Sequence, residues 1–148
     1  MIVLKLYFTF RRSTLFALVL TLMVILFVSS KFTSSTVYAK DGNTNYERIN
    51  YLESINCKVQ EEIISQKEIV IPETFSEVYQ RYNNLQNKAG FDLTQYKGAK
   101  AISYTYKVLD YKNLQNAYVN LIICNGKIIG GDILTTNLNG QMLPLIKA

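Results

Sequence analysis

The sequence predicts an α+β fold: one small domain with an antiparallel sheet and two helices on one face, preceded by one N-terminal transmembrane or signal helix. Three observations predict it. Asn125-Gly126 separates two apolar runs, 117–124 and 127–134. That pair supplies the two positive-φ residues of a type I′ turn, the strongest short hairpin signal. Phe75, Val78, Tyr79, Tyr82, Leu85 and Ala89 recur at three- and four-residue spacing, an apolar helical stripe. Ser13 to Ser30 is eighteen residues without a charge.

That charge-free stretch comes first. A spanning helix needs roughly 20 apolar residues, and eighteen is the lower edge of the range. Its densest part, Leu15 to Val28, is fourteen residues and also suits the apolar region of a signal peptide. A small-x-small cleavage pattern stands at Val37-Tyr38-Ala39, nine residues beyond Ser30. That gap is long for a cleavage region, so an anchor retained at 13–30 is favoured over a secreted chain cut after Ala39. Lys5, Arg11 and Arg12 precede the stretch. Positive charge beside an apolar helix stays inside, so residues 1–12 are expected in the cytoplasm and the C-terminal domain outside, at the cell membrane.

Residues 31–43 read as a polar linker, and the domain follows at 44–148. Thr44 and Glu47 form a capping-box pattern, with Ile49, Leu52 and Ile55 on one face, predicting a helix over 44–56 that ends at Asn56. Val59 to Ile71 is dense in β-branched residues and reads as a strand closed by Pro72. A second capping box at Thr74 and Glu77 opens the helix predicted over 73–89, which Gly90 stops. Phe91 to Gly98 connects. Ile102, Tyr104, Tyr106 and Val108 then alternate with Ser103, Thr105 and Lys107, a half-buried strand. The Asn-Gly turn pairs Cys124 with Lys127, Ile123 with Ile128, Leu121 with Gly130 and Asn120 with Gly131. Two consecutive glycines in a strand imply a bulge or a close neighbour, and the second helix is expected to pack there.

Composition excludes several chemistries. The net charge is +5, but Lys5, Arg11, Arg12 and Lys31 stand in the first 39 residues, where no acidic residue occurs. The remainder carries twelve basic and eleven acidic residues, a net of +1, so no nucleic acid is expected as partner. There is no His, which removes Ser-His-Asp and Cys-His sites and the commonest zinc ligand. No cofactor and no metal are implied. Cys57 and Cys124 each adjoin an apolar strand pattern and read as buried free thiols rather than a disulfide. Glu73, Glu77, Asp92, Asp110 and Asp132 are acids whose convergence the sequence leaves open, and a solvated face is the default. Nine tyrosines follow Ala39; they fill a core or, at its edge, stack against sugars or a peptide.

The stretch from about Arg48 to Leu143 resembles the DUF4830 family. The residues that carry this are Tyr51-Leu52-Glu53-Ser54, Ile71-Pro72, Gly90-Phe91-Asp92-Leu93, Tyr96-Lys97-Gly98, Tyr104-Thr105-Tyr106 and Asn125 through Asp132. A glycine is usual in that pattern where Asn56 stands, and the tail after Gly140 differs. The resemblance implies an extracytoplasmic domain of unknown role in clostridial and related Gram-positive proteins, and no site residues.

The function these readings favour is a non-catalytic binding or structural module at the outer face of the cytoplasmic membrane. Its partners are the membrane, through 13–30, and an envelope protein or polymer. Asp92, Gly130, Gly131 and Asp132 are its candidate polar rim. The alternative is a cell-envelope enzyme with Asp92 and Asp132 as paired carboxylates, which such chemistry needs about 5–10 Å apart.

Overall fold

The computed structural model describes residues 17, 19, 20, 23, 40–114, 116–136 and 140–147. The basic segment 1–12 and most of the linker lie outside the described residues. So does the expected helix at 13–30, apart from Ala17, Val19, Leu20 and Met23, which are helical and exposed. Among the described residues, no helix is long and apolar enough to cross a membrane. The chain divides into two units, 1–36 and 37–148, and the sheet with its helices lies in the second.

In chain order the elements are β1 (Lys40–Asp41), α1 (Asn45–Ser54), β2 (Lys58–Val70), α2 (Glu77–Lys88), a 3-10 turn (Leu93–Tyr96), β3 (Lys100–Asp110), β4 (Ala117–Cys124), β5 (Lys127–Thr135) and β6 (Met142–Pro144). They form one antiparallel sheet in the order β1-β5-β4-β3-β2, with β6 also on β5. The α+β class therefore holds. Two strands were not foreseen. β1 begins inside the expected linker, and β6 lies in the tail.

The helix starts follow their caps. The Thr44 hydroxyl accepts from the Glu47 N–H, and the Glu47 carboxylate accepts from the Thr44 N–H, the expected box. Asn56 takes φ 61 just beyond, as expected for the residue that reverses the chain. α2 corrects the sequence reading, because its cap is Ser76 and not Thr74. The Ser76 hydroxyl accepts from the Tyr79 N–H. Phe75 stays outside the helix, its ring 4.6 Å from that of Tyr79 and its carbonyl accepting from Gln80 Nε2. Gly90 takes φ 84 after the last turn, where no Cβ is tolerated cheaply.

The helices do not share one face; α1 and α2 cover opposite faces. Neighbouring residues of a strand point to opposite sides. Tyr106 of β3 accepts from Arg48 of α1 at 2.6 Å, while Thr105 faces the side where α2 lies. Two cores result. Leu52, Tyr106, Val119, Leu121 and Ile133 bury one. Ile71, Leu93, Ala101, Ile122 and Ile129 bury the other. Burial along the hairpin agrees: residues 121–124 and 128–133 are buried without interruption. Such runs belong to strands covered on both faces.

The hairpin begins in the expected register, with Asn125 and Gly126 at φ 49 and 74, but then slips. Cys124 opposes Lys127 and Ile123 opposes Ile128. A bulge follows, with Ile129 as the extra residue, and Ile122 opposes Gly130, Leu121 opposes Gly131 and Asn120 opposes Asp132. The expected pairs of Leu121 with Gly130 and Asn120 with Gly131 are thereby corrected. The slip carries a functional consequence. One extra residue turns every later side chain over. It brings the Asp132 carboxylate to the α2 face, beside the Asn120 amide.

β1 and β6 cover separate parts of one edge of β5, at 127–128 and at 132–134. Between them the Gly131 N–H donates to Gln86 Oε1 at 2.8 Å. A side chain of α2 thus serves where a strand neighbour is missing.

Candidate functional site

Ser65, Thr105, Asn120 and Asp132 stand directly opposite one another on β2, β3, β4 and β5. They make one polar row across four strands, on the α2 face. Asn120 Nδ2 donates to Asp132 Oδ1 at 3.0 Å, and the Tyr82 hydroxyl donates to Asp132 Oδ2 at 2.8 Å. Thr105 Oγ1 donates to Asn120 Oδ1 at 2.7 Å. The direction of this chain is set at its end. An ionised carboxylate only accepts, so Asn120 turns its amide N–H toward Asp132 and its oxygen toward Thr105. The Thr105 proton is then committed, and its hydroxyl keeps acceptor capacity for something else.

Asp132 is only 2% exposed. Burial pushes its carboxyl above the usual carboxylate range, against the two hydrogen bonds that pull it down. Tyr82 is pushed up as well, chiefly by burial and then by the Asp132 charge. The ion pairs among the described residues are Arg81 with Glu77 and Lys127 with Asp41, so none involves Asp132. A buried carboxylate held by neutral donors costs stability.

Above the row lies a groove of about 480 Å³. Tyr79 and Tyr82 form one wall, their rings 5.7 Å apart and edge to face. Asn120, Asp132, Thr105 and Ser103 line the floor, and Ser65 and Lys67 line it from β2. α2 covers part of this face and leaves the β2–β3 part open.

The other candidates lie elsewhere. Asp92 caps the 3-10 turn, accepting from the Thr94 N–H and hydroxyl and from Asn83 Nδ2. Those bonds, the Thr94 hydroxyl first, hold its carboxyl below the usual range. It lines a recess of about 60 Å³ with Gln95 and Tyr96, not the groove. Gly130 and Gly131 are buried, not on a rim. A Cβ at Gly130 would stand 3.0 Å from Gln86 Oε1, and one at Gly131 2.7 Å from Leu145 Cδ2. Of the four predicted site residues, only Asp132 reaches the groove. Glu73, Glu77 and Asp110 are exposed. Cys57 and Cys124 are free and buried in different cores, with the Cys57 thiol pushed up to about 12, chiefly by burial.

The sequence reading missed Ser65, Lys67, Thr105 and Asn120. The alternation on β3 marked Ser103 and Thr105 as an outward face, and nothing marked α2 as its cover. A larger recess of about 680 Å³ opens at the hairpin end, lined by Ile102, Ile123 and Tyr104 with Glu68 and Lys100. It carries no comparable network; the nearby buried cation Arg48 is satisfied by Tyr106 and by the Gly42 and Asn43 carbonyls. Among the described residues, no group of three His, Cys, Asp or Glu side chains is placed to hold a metal ion.

No curated protein and no solved structure matches the chain. The family model described as "Domain of unknown function (DUF4830)" matches residues 51–133, a span that contains every rung of the polar row.

Proposed function

The chain belongs to the DUF4830 family, and from that premise we propose that it is a non-catalytic binding module displayed on the outer face of the cytoplasmic membrane. Its ligand site is the groove between α2 and the open part of the sheet. One observation carries this reading: a hydrogen-bonded row ends in a buried carboxylate under a wall of tyrosines. A fold seeking stability alone gains nothing from that carboxylate. The charge-free segment 13–30 behind Lys5, Arg11 and Arg12 supports the topology. The enzyme alternative has Asp132 in the groove without Asp92, its proposed second carboxylate.

A photo-crosslinking side chain at Ser65, in the full chain in intact cells, tests the site. Capture of an envelope component from Ser65 and not from exposed Leu109 is expected. Equal capture from both removes the groove from the reading, and protection of residues 40–148 from external protease removes the topology.

One observation favours a secreted form. β1 opens at Lys40, immediately after Ala39, so a cut there leaves the described sheet whole. The intact mass of the mature chain decides between the two forms.

A further inference from the structure

We propose that the occupant of the groove is a neutral glycan, with its sugar rings laid along the row from Ser65 to Asn120 and Asp132 buried beyond its end; this rests on the groove being the ligand site. Charge comes first. Lys67 and Asp132 are the Lys and carboxylate side chains that line the groove, one of each sign. They cancel, so neither a polyanion nor a polycation is attracted. The floor comes second. Beside the apolar Ile69 and Ile122, Ser65 and Ser103 offer hydroxyls that accept as well as donate, Thr105 accepts, Asn120 offers its remaining amide N–H and Lys67 donates. A polyol, whose every hydroxyl does both, matches such a mixed set. The wall comes third. The rings of Tyr79 and Tyr82 give an apolar surface for the C–H face of a pyranose, opposite the polar floor.

A peptide fits less well. Its main chain is recognised by adding to an open strand edge. β3 and β4, under the groove, are paired on both sides. The edge strand beside it, β2, is regular from Ser65 to Val70, but a strand added to that edge would lie beside the sheet and not over the face that the groove occupies. From Ser65 to Asn120 the row spans two strand spacings, about 10 Å, which is longer than one sugar ring.

The test is calorimetric titration of the full chain in lipid nanodiscs. The probes are N-acetylglucosamine tetramer, glucose tetramer, spermidine and an uncharged decapeptide. Saturable binding of a tetrasaccharide is expected, weakened at least tenfold by Lys67→Ala and by Tyr79→Ala and unchanged by Leu109→Ser. Lys67 is exposed, so its variant keeps the fold. No tetrasaccharide binding, or binding that survives Lys67→Ala, overturns the proposal. If spermidine or the peptide binds and Tyr79→Ala abolishes it, the glycan falls and the groove stands. If no probe binds, both fall.

Discussion

Asp132 joins chemistry to stability at a single residue. Its carboxyl titrates above the ordinary range because burial disfavours the charged form. The folded state therefore holds its proton to higher pH than the unfolded chain. Its contribution to stability is accordingly fully present below the unfolded carboxylate value, about 3.9, and is lost as pH rises through the folded value. Asp132→Asn removes that loss, and Tyr82 can turn its hydroxyl to accept from the new amide. Thermal unfolding should show a higher midpoint than wild type at neutral pH, with the gap closing toward pH 4; a lower midpoint at neutral pH contradicts this. Gly131 is the second sensitive residue. A Cβ there would stand 2.9 Å from the Asn120 carbonyl oxygen and closer still to Leu145, and backbone does not yield cheaply. Gly131→Ala should cost about 1–3 kcal/mol in urea unfolding. At this scale the sequence was half legible. Asp132 stood out by following two glycines, but its partner Thr105 looked like an ordinary solvent-facing residue and Asn120 sat inside an apolar run. Only the register slip at Ile129 brings Asp132 to them.

The elements were read more fully, because caps and turns are local chemistry. Thr44, Glu47, Asn56, Gly90, Asn125 and Gly126 each do what their types require. The exception is the start of α2, where two hydroxyl residues compete two positions apart. Ser76 makes the bond, so Ser76→Ala should lower stability by about 1 kcal/mol and Thr74→Ala should leave it unchanged. A larger loss from Thr74→Ala than from Ser76→Ala in chemical denaturation would return the cap to Thr74. β6 escaped notice because a strand of three residues has no period to read. Its value lies in the residue it delivers to the core just past its end. Leu145 is fully buried against Gly131 in the α1-side core, and Leu145→Ala should cost about 2–5 kcal/mol. A loss below about 1 kcal/mol would show that the tail does not seal that core.

For the domain as a whole, the class was legible and the layering was not. Helical stripes and strand alternation show which face of an element is apolar, but not which face of the sheet it meets. The nearly continuous apolar runs of β4 and β5 were the one clue that both faces are covered. Two cores on opposite faces also separate the thiols, Cys57 in one and Cys124 in the other. A thiol reagent at neutral pH should find neither in the native chain and both after unfolding, since both thiols are buried out of its reach and burial also keeps the Cys57 thiolate scarce. A native chain that reacts at once would place a cysteine at the surface. The Arg48 contacts bear on the domain in another way. Lys40 opens β1, so any tension arriving along the preceding chain enters the fold there. Two strand residues alone would peel away. Arg48 Nη1 grips the next two carbonyls, Gly42 at 2.8 Å and Asn43 at 3.0 Å, while its guanidinium lies 3.7 Å from the centre of the Tyr104 ring and bonds to Tyr106. The guanidinium is therefore a rivet: a tug on the N-terminal arm that strips β1 from the hairpin is next met by two tyrosines on β3.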